Sequence, residues 1–275
     1  MTAKLNEQAK GVYIIAATPF LDDDSIDYES VDRLTDFYLE KGVSGITILG
    51  MMGEAQKLSP TESQTVMNRV IDRVNGRVPV IVGVSNRDMN KLITLSNSAM
   101  GAGAAGVMVA PFDEHNSDDA IYNYYVAVDK ALQSKIPMIY QDFPLVTKAP
   151  VSVDCLLKII RDIPQVVMLK HEDWPGLGKL SEIRARSVKD GLRRISILCG
   201  NGGLYLPQEL ARGADGAMTG FAYPEMLVGV CEKYAAGDQD TADDLFDLYL
   251  PVIKHEQQPR YKCKFFAKRI GEQRR

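Results

Sequence analysis

The 275-residue sequence lacks the features that define several large classes of protein. No apolar run approaches the about 20 residues that a membrane-spanning helix needs. The first residues, MTAKLNEQAK, lack the apolar core of a secretory signal. The net charge is only −4 and no basic patch stands out, so nothing favours a nucleic-acid partner. We therefore expect a cytoplasmic protein with neither a membrane nor a nucleic acid among its partners.

Cysteine is also scarce. The sequence has four cysteines, they are widely separated, and no CxxC pair occurs: Cys155, Cys199, Cys231 and Cys263. This spacing predicts neither a zinc site nor a dithiol redox motif. Reduced thiols in the cytoplasm are the simplest interpretation.

Short apolar segments alternate with helical patterns along the whole chain. The segments read as near-continuous apolar runs, which is typical of parallel strands covered on both faces. Strands are predicted at 12–17, 45–49, 78–82, 106–109, 138–141, 166–170, 195–199 and 216–219. Helices are predicted between and after them at 26–41, 61–75, 89–103, 117–133, 153–162, 177–190, 204–212 and 225–236.

Eight strand–helix pairs in succession predict an α/β fold, the (β/α)8 or TIM barrel. The alternative is a doubly wound open sheet, which usually has fewer strands and a glycine-rich first turn. Here the first strand ends in AATPF, without that turn. We assign residues 1–238 to the barrel. Helical patterns at 240–255 and 260–269 predict a short C-terminal helical extension over 239–275.

The stretch VVMLKHEDWPG places Lys170 at the end of an apolar strand. A lysine at a strand end is often only a solvated surface residue. In a barrel, however, catalytic groups gather at the carboxyl ends of the strands. Burial there disfavours the charged amine, and a neutral amine forms a Schiff base with a carbonyl substrate. Lys170 is therefore our candidate nucleophile.

Two further features suit the chemistry of a 2-oxo acid. Tyr140 ends the neighbouring strand and offers a hydroxyl that can relay protons, although it could equally be a core tyrosine. The loop GMMGE after the second strand offers backbone N–H groups for a carboxylate, although it could be only a tight turn.

In order and spacing, the motifs ATPF, GMMGEA, a tyrosine closing strand 5, LKHED, CGNGG and GADGAMTG resemble the dihydrodipicolinate synthase/N-acetylneuraminate lyase family. The resemblance implies a Schiff base on Lys170 and an acid/base role for Tyr140. It also implies a homotetramer that needs no metal or organic cofactor. Substrate-binding residues are expected in the GMMGE loop and at later strand ends: Gly50, Met51, Met52, Gly53, Glu54, Gln141, Asn201, Gly202 and Thr219.

Three departures from the synthases bear on the substrate. Met51 and Met52 replace the hydroxyl residues of GTTGE, Phe112 and Asp113 stand where a tyrosine pair is usual, and no arginine follows Tyr140 closely. The first hypothesis is therefore a lyase, an aldolase or dehydratase, acting on pyruvate or a 2-oxo deoxy sugar acid. The alternatives are the synthase itself and a barrel that binds an oxo acid without catalysis.

Overall fold

The computed structural model describes residues 4–257, and eight parallel strands at its centre form a closed barrel. Each strand pairs with the next, and the last pairs with the first at Gly11↔Gly216 and Val12↔Ala217. This closure confirms the predicted barrel and rules out the open sheet. The strands are β1 (Gly11–Ile15), β2 (Gly45–Ile48), β3 (Val80–Gly83), β4 (Gly106–Val109), β5 (Met138–Asp142), β6 (Val166–His171), β7 (Ser196–Cys199) and β8 (Gly216–Ala217).

Helices connect the strands on the outside of the barrel. They are α1 (Tyr28–Glu40), α2 (Pro60–Val74), α3 (Met89–Ala102), α4 (Asp118–Ala131), α5 (Pro144–Thr147), α6 (Val153–Asp162), α7 (Leu177–Lys189), α8 (Leu206–Leu210), α9 (Pro224–Ala235) and α10 (Gln239–Glu256). Short 3₁₀ turns occur at Ala55–Lys57 and Asn201–Gly203. The sequence did not predict α5 or the 3₁₀ turns, because a single helical turn is too short to show a hydrophobic period.

Capping groups in the sequence fix where the long helices begin. At α2, the Ser59 hydroxyl accepts a hydrogen bond from the Glu62 backbone N–H, and the Glu62 carboxylate accepts one from the Ser59 N–H. This reciprocal pair satisfies two amides that the helix itself cannot use. Asp27, Ser117 and Ser152 cap α1, α4 and α6 through single side-chain bonds. Each helix therefore begins at a defined distance from the strand before it.

Alternate strand residues divide the apolar core into two layers. The inner layer fills the barrel and includes Ile15, Met108, Ile139, Met168 and Leu198. The outer layer packs the other strand face against the helices, with residues such as Val12, Ile14 and Leu169. Because successive side chains point to opposite faces of a strand, this division decides which strand-end residues can reach the barrel mouth.

The final helix, α10, packs on α9, and its buried residues Ala242, Phe246 and Ile253 join the outer core layer. Its N-cap is Asp238, which is the last residue of the predicted barrel segment; the division into two units stays a prediction. The predicted helix at 260–269 lies outside the described residues. Within residues 4–257, no helix has both the length and the apolar character required to span a bilayer.

Closure of the barrel depends on a glycine at Gly216. Its φ is +151°, and an added Cβ atom would lie 1.9 Å from the carbonyl oxygen of Gly11 on β1. We expect Gly216→Ala to lower the free energy of unfolding by about 3 kcal/mol, because a backbone atom in a paired strand has little freedom to move away. Urea unfolding followed by circular dichroism measures the change.

The control is Gly101→Ala. Gly101 lies in α3, and its added Cβ meets no atom within 4 Å. This change should leave the urea midpoint unchanged or raise it, since alanine favours helix over glycine. Equal midpoints for Gly216→Ala and the parent chain would contradict the account of closure.

Candidate active site

Three buried polar side chains meet at the carboxyl ends of β5 and β6. The Nζ atom of Lys170 lies 2.9 Å from Oε2 of Glu172. The same oxygen accepts a hydrogen bond from Nε2 of Gln141 at 2.8 Å. All three residues are at most 6% exposed. A buried amine is therefore in direct contact with a carboxylate, and a neutral amide fixes the orientation of that carboxylate.

Strand register brings these residues together. Gln141 on β5 lies beside Lys170 on β6 in the parallel ladder. Met168 belongs to the inner layer, so Lys170, two residues further along the strand, also points into the barrel. The backbone N–H of Glu172 donates to the carbonyl oxygen of Asp142 at 2.9 Å. This bond holds the chain after β6 against the end of β5.

The CGNGG segment after β7 makes room for Glu172. A Cβ atom on Gly200 would lie 2.1 Å from Cγ of Glu172, so a side chain at residue 200 would displace the carboxylate. Nδ2 of Asn201 donates to the carbonyl oxygen of Glu172 at 3.1 Å, and its backbone N–H makes a longer bond of 3.5 Å to Oε1. Asn201 therefore helps to position Glu172. Nearby, the backbone N–H of Gly202 donates to Oγ1 of Thr219 at 2.7 Å.

The GMMGE loop lies at the same end of the barrel. The Thr18 hydroxyl donates to the carbonyl oxygen of Gly53 at 2.7 Å, which ties the loop to the end of β1. Among the described residues, the backbone N–H groups of Met51, Met52 and Gly53 find no hydrogen-bond acceptor. Three adjacent unpaired amides suit the predicted anion nest.

The side chains of the same loop have distinct surroundings. Met51 is 37% exposed. The sulfur of Met52 lies 2.1 Å from the position that a Cβ atom on Gly220 would take, so this thioether packs closely against the end of β8. Glu54 forms an ion pair with Lys57, and Gly50 packs near Ile15 and Met108. The loop therefore presents apolar side chains, and amides that find no acceptor within residues 4–257.

The structure places the ring of Tyr140 outside the inner layer of the barrel. Its ring stacks on Tyr125 of α4 with centroids 4.4 Å apart, in the outer core layer. Its hydroxyl is buried and has no hydrogen-bond partner within residues 4–257. Burial raises the pKa of this phenol well above its usual value. Tyr140 and Gln141 are neighbours on one strand and face opposite sides. This placement argues against the acid/base role of Tyr140, which stays a prediction.

Glu172 is the residue to which the sequence analysis assigned no role. A signal for it was present: Glu172 follows Lys170 by two positions, and residues two apart near a strand end share a face. That spacing alone could have paired the amine with a carboxylate.

A second charged cluster lies behind the site, on the outer faces of β5 and β6. Nζ of Lys179 on α7 lies 2.6 Å from Asp142 and 2.8 Å from Asp173. Burial raises the pKa of Asp142, with Lys179 opposing the shift. Burial works to lower the pKa of Lys179, but the two carboxylates outweigh it and the pKa rises.

A third buried pair, between β6 and α8, is formed by Nδ1 of His171 and Oε2 of Glu209 at 3.1 Å. Burial works to lower the pKa of His171, but the bond to Glu209 outweighs it and the pKa rises.

A closed parallel barrel with a buried amine and carboxylate at its carboxyl-end mouth defines an enzyme that works on small molecules. The chain belongs to the dihydrodipicolinate synthetase family, whose model matches residues 8–263. It is a Schiff-base-forming lyase of that family, as the sequence predicted.

Relatives in this family carry two different activities. The chain is 32% identical to a 4-hydroxy-tetrahydrodipicolinate synthase of Sorangium cellulosum, over 83% of this chain and 74% of the relative. It is 30% identical to an L-2-keto-3-deoxyarabonate dehydratase of Azospirillum brasilense, over 93% of this chain and 82% of the relative. A crystal structure of dihydrodipicolinate synthase from Rhodopseudomonas palustris is 45% identical, with a TM-score of 0.91 over 94% of this chain and 85% of that one.

Tyr140→Phe tests whether the tyrosine hydroxyl takes part in catalysis. Removing a buried hydroxyl without a partner should leave stability unchanged or raise it by about 1 kcal/mol, and turnover should change little. Gln141→Leu is the matched comparison on the inner face, and we expect it to lower turnover because Glu172 loses its amide partner. If Tyr140→Phe lowered the turnover rate by about 10²-fold, which is the usual effect of removing a positioned acid or base, Tyr140 would have a catalytic role.

Proposed function

We propose that the chain dehydrates a 2-oxo-3-deoxy sugar acid through an imine on Lys170. The observation that carries this proposal is the 2.9 Å contact between the Lys170 amine and the Glu172 carboxylate. An imine formed on the amine would hold the carbon next to the former carbonyl beside this carboxylate. Glu172 is therefore suited to remove a proton from that carbon.

The proposed reaction begins when the Lys170 amine attacks C2 and water leaves. Glu172 then accepts a proton from C3, and the electron pair moves into the iminium to give an enamine. The enamine expels the C4 hydroxyl, which takes the proton back from Glu172 and leaves as water. Hydrolysis of the imine releases the unsaturated product and restores the amine. Overall, one hydrogen and one hydroxyl leave the substrate as water.

The surrounding groups support a neutral, hydroxylated substrate tail. The backbone amides of Met51, Met52 and Gly53 suit the substrate carboxylate. Methionine side chains have no exchangeable proton, so the hydroxyl relay of the synthases has no counterpart in this loop. The Azospirillum relative, an L-2-keto-3-deoxyarabonate dehydratase, also acts on a sugar acid.

The synthase reaction remains a second candidate because several relatives carry that name, including the 45% identical structure. The third possibility, a barrel that binds an oxo acid without catalysis, is disfavoured by the Lys170–Glu172 contact. Binding alone has no need to place a desolvated carboxylate beside an amine.

We further propose a homotetramer in the cytoplasm, without a metal or organic cofactor in catalysis. The assembly rests on the family resemblance. The compartment is supported by the thiols: Cys155, Cys199 and Cys231 are free, and burial raises the pKa of Cys155 and Cys231 to about 12. Such thiols stay protonated and unreactive.

Two assays with pyruvate test the roles of Lys170 and Glu172 without knowledge of the natural substrate. Borohydride should fix pyruvate to Lys170, as read by peptide mass mapping. In D₂O, the wild type should exchange the methyl protons of pyruvate, as read by proton NMR. Glu172→Gln should still trap pyruvate but exchange about 10²–10⁴-fold more slowly, since a positioned base is lost.

Lys170→Ala is the control, and it should abolish both signals. An adduct on another lysine, or no adduct with any 2-oxo acid, would contradict the assignment of Lys170 as the nucleophile. Unchanged exchange in Glu172→Gln would remove Glu172 as the base and leave Lys170 untouched.

Substrate class is tested on one preparation with two reactions. We expect dehydration of 2-oxo-3-deoxy sugar acids to exceed condensation of pyruvate with aspartate semialdehyde, because the loop lacks hydroxyls and no arginine follows Tyr140 closely. The comparison is kcat/KM for each reaction. If the condensation reaches about 10⁴ M⁻¹s⁻¹ and dehydration is absent, the synthase reading replaces ours.

A further inference from the structure

Lys179 forms hydrogen bonds to both Asp142 and Asp173, which lie next to the site. Its Nζ atom donates to Oδ2 of Asp142 at 2.6 Å and to Oδ2 of Asp173 at 2.8 Å. Asp142 comes directly after Gln141, and Asp173 comes directly after Glu172. One ammonium group on α7 therefore connects the ends of β5 and β6 where the Gln141–Glu172 hydrogen bond forms.

This connection is buried, which makes it stiff. The side chains of Lys179 and Asp142 are 11% and 1% exposed. The other carboxylate oxygen of Asp142 has no hydrogen-bond partner among the described residues, so Lys179 supplies the one hydrogen bond that this carboxylate receives there. Removing one member of a buried charge pair leaves the other desolvated and unpaired. Asp142 should therefore shift when Lys179 is lost.

A shift of Asp142 would reach Glu172 directly. The carbonyl oxygen of Asp142 accepts the hydrogen bond from the Glu172 backbone N–H, and Asp173 is covalently attached to Glu172. Lys170 is held on both sides within the ladder between β5 and β7, whereas Glu172 lies just beyond the last residue of β6. Loss of Lys179 should therefore displace the base more than the nucleophile.

We infer that Lys179 is a positioning residue that holds Glu172 over the substrate carbon next to the imine. This inference rests on the proposed role of Glu172 as the base. Displacing a reacting group by about 1 Å lowers a rate by about 10²-fold. The effect should appear in proton removal and not in imine formation.

Lys179→Met tests the inference, since it keeps the length of the side chain and removes the charge. We expect pyruvate methyl exchange in D₂O to fall by about 10–100-fold per trappable Lys170. Borohydride trapping of pyruvate at Lys170 should stay near the wild-type extent. Asp173→Asn is a milder second variant, because Asp173 is 31% exposed, and it should lower exchange in the same direction if Lys179→Met does not fold.

Arg184→Met is the matched control. Arg184 also lies on α7, and its ion pair with Asp215 is similarly buried, with exposed fractions of 15% and 13%. Its other contacts are the carbonyl oxygens of Gly213 and Ile195, just before β8 and β7, at the end of the barrel opposite the mouth. This variant should lose thermal stability comparably but keep the wild-type exchange per trapped lysine.

The outcomes separate the two proposals. A wild type that traps no 2-oxo acid removes the proposed function and this inference with it. A wild type that traps and exchanges, together with Lys179→Met and Asp173→Asn that exchange equally well, overturns the inference alone. Equal losses of exchange in Lys179→Met and Arg184→Met would also overturn the positioning role of Lys179, because a general loss of stability would then explain both.

Discussion

The contact between the Lys170 amine and the Glu172 carboxylate is the constraint around which this barrel mouth is built. A lysine buried to this degree needs a counter-charge, and a carboxylate taken out of water needs more than one hydrogen-bond donor. Gln141 supplies one donor, and Asn201 supplies another from the far side. The polar groups of three strand ends are therefore fixed by the requirements of one buried pair.

Two glycines near the mouth are required by side chains that reach across from neighbouring segments. Gly200 has no side chain because Glu172 occupies that space. Gly220 has none because the thioether of Met52 lies there. The mouth is filled by side chains that reach across from neighbouring loops, so substitutions at these glycines would act on the site through its packing.

Charge around the mouth is arranged in two layers that correspond to the two faces of the strands. On the inner face, Lys170 pairs with Glu172. On the outer face, Lys179 pairs with Asp142, and His171 pairs with Glu209, both enclosed by α7 and α8. Because adjacent residues alternate between these layers, every polar residue from Lys170 to Asp173 has a different environment from its neighbour. This alternation lets a short polar run serve both the proposed reaction and the rigidity of the barrel.

Sequence alone determined the architecture and pointed to Lys170 as the proposed nucleophile. Eight apolar runs separated by helical periods define a closed parallel barrel, and strand and helix positions were recovered to within a few residues because each long helix has a defined cap or glycine end. Lys170 was recognisable as a strand-end residue because it directly follows the four apolar residues VVML. These features are local, so the sequence carries them without tertiary information.

Tertiary structure decided which strand-end residues share a face and which residues contact each other across the barrel. Tyr140 and Gln141 are equally plausible in the sequence, and only the strand register next to Lys170 shows that the amide points inward while the phenol stacks on Tyr125. The space left by Gly200 and the bridge made by Lys179 likewise depend on residues that are distant in sequence. The physical reason is that the side chains of a strand alternate between its two faces. A shift of one residue in the strand therefore moves every side chain to the other face. The sequence does not locate the end of a strand to within one residue, so it cannot decide which side chains point inward.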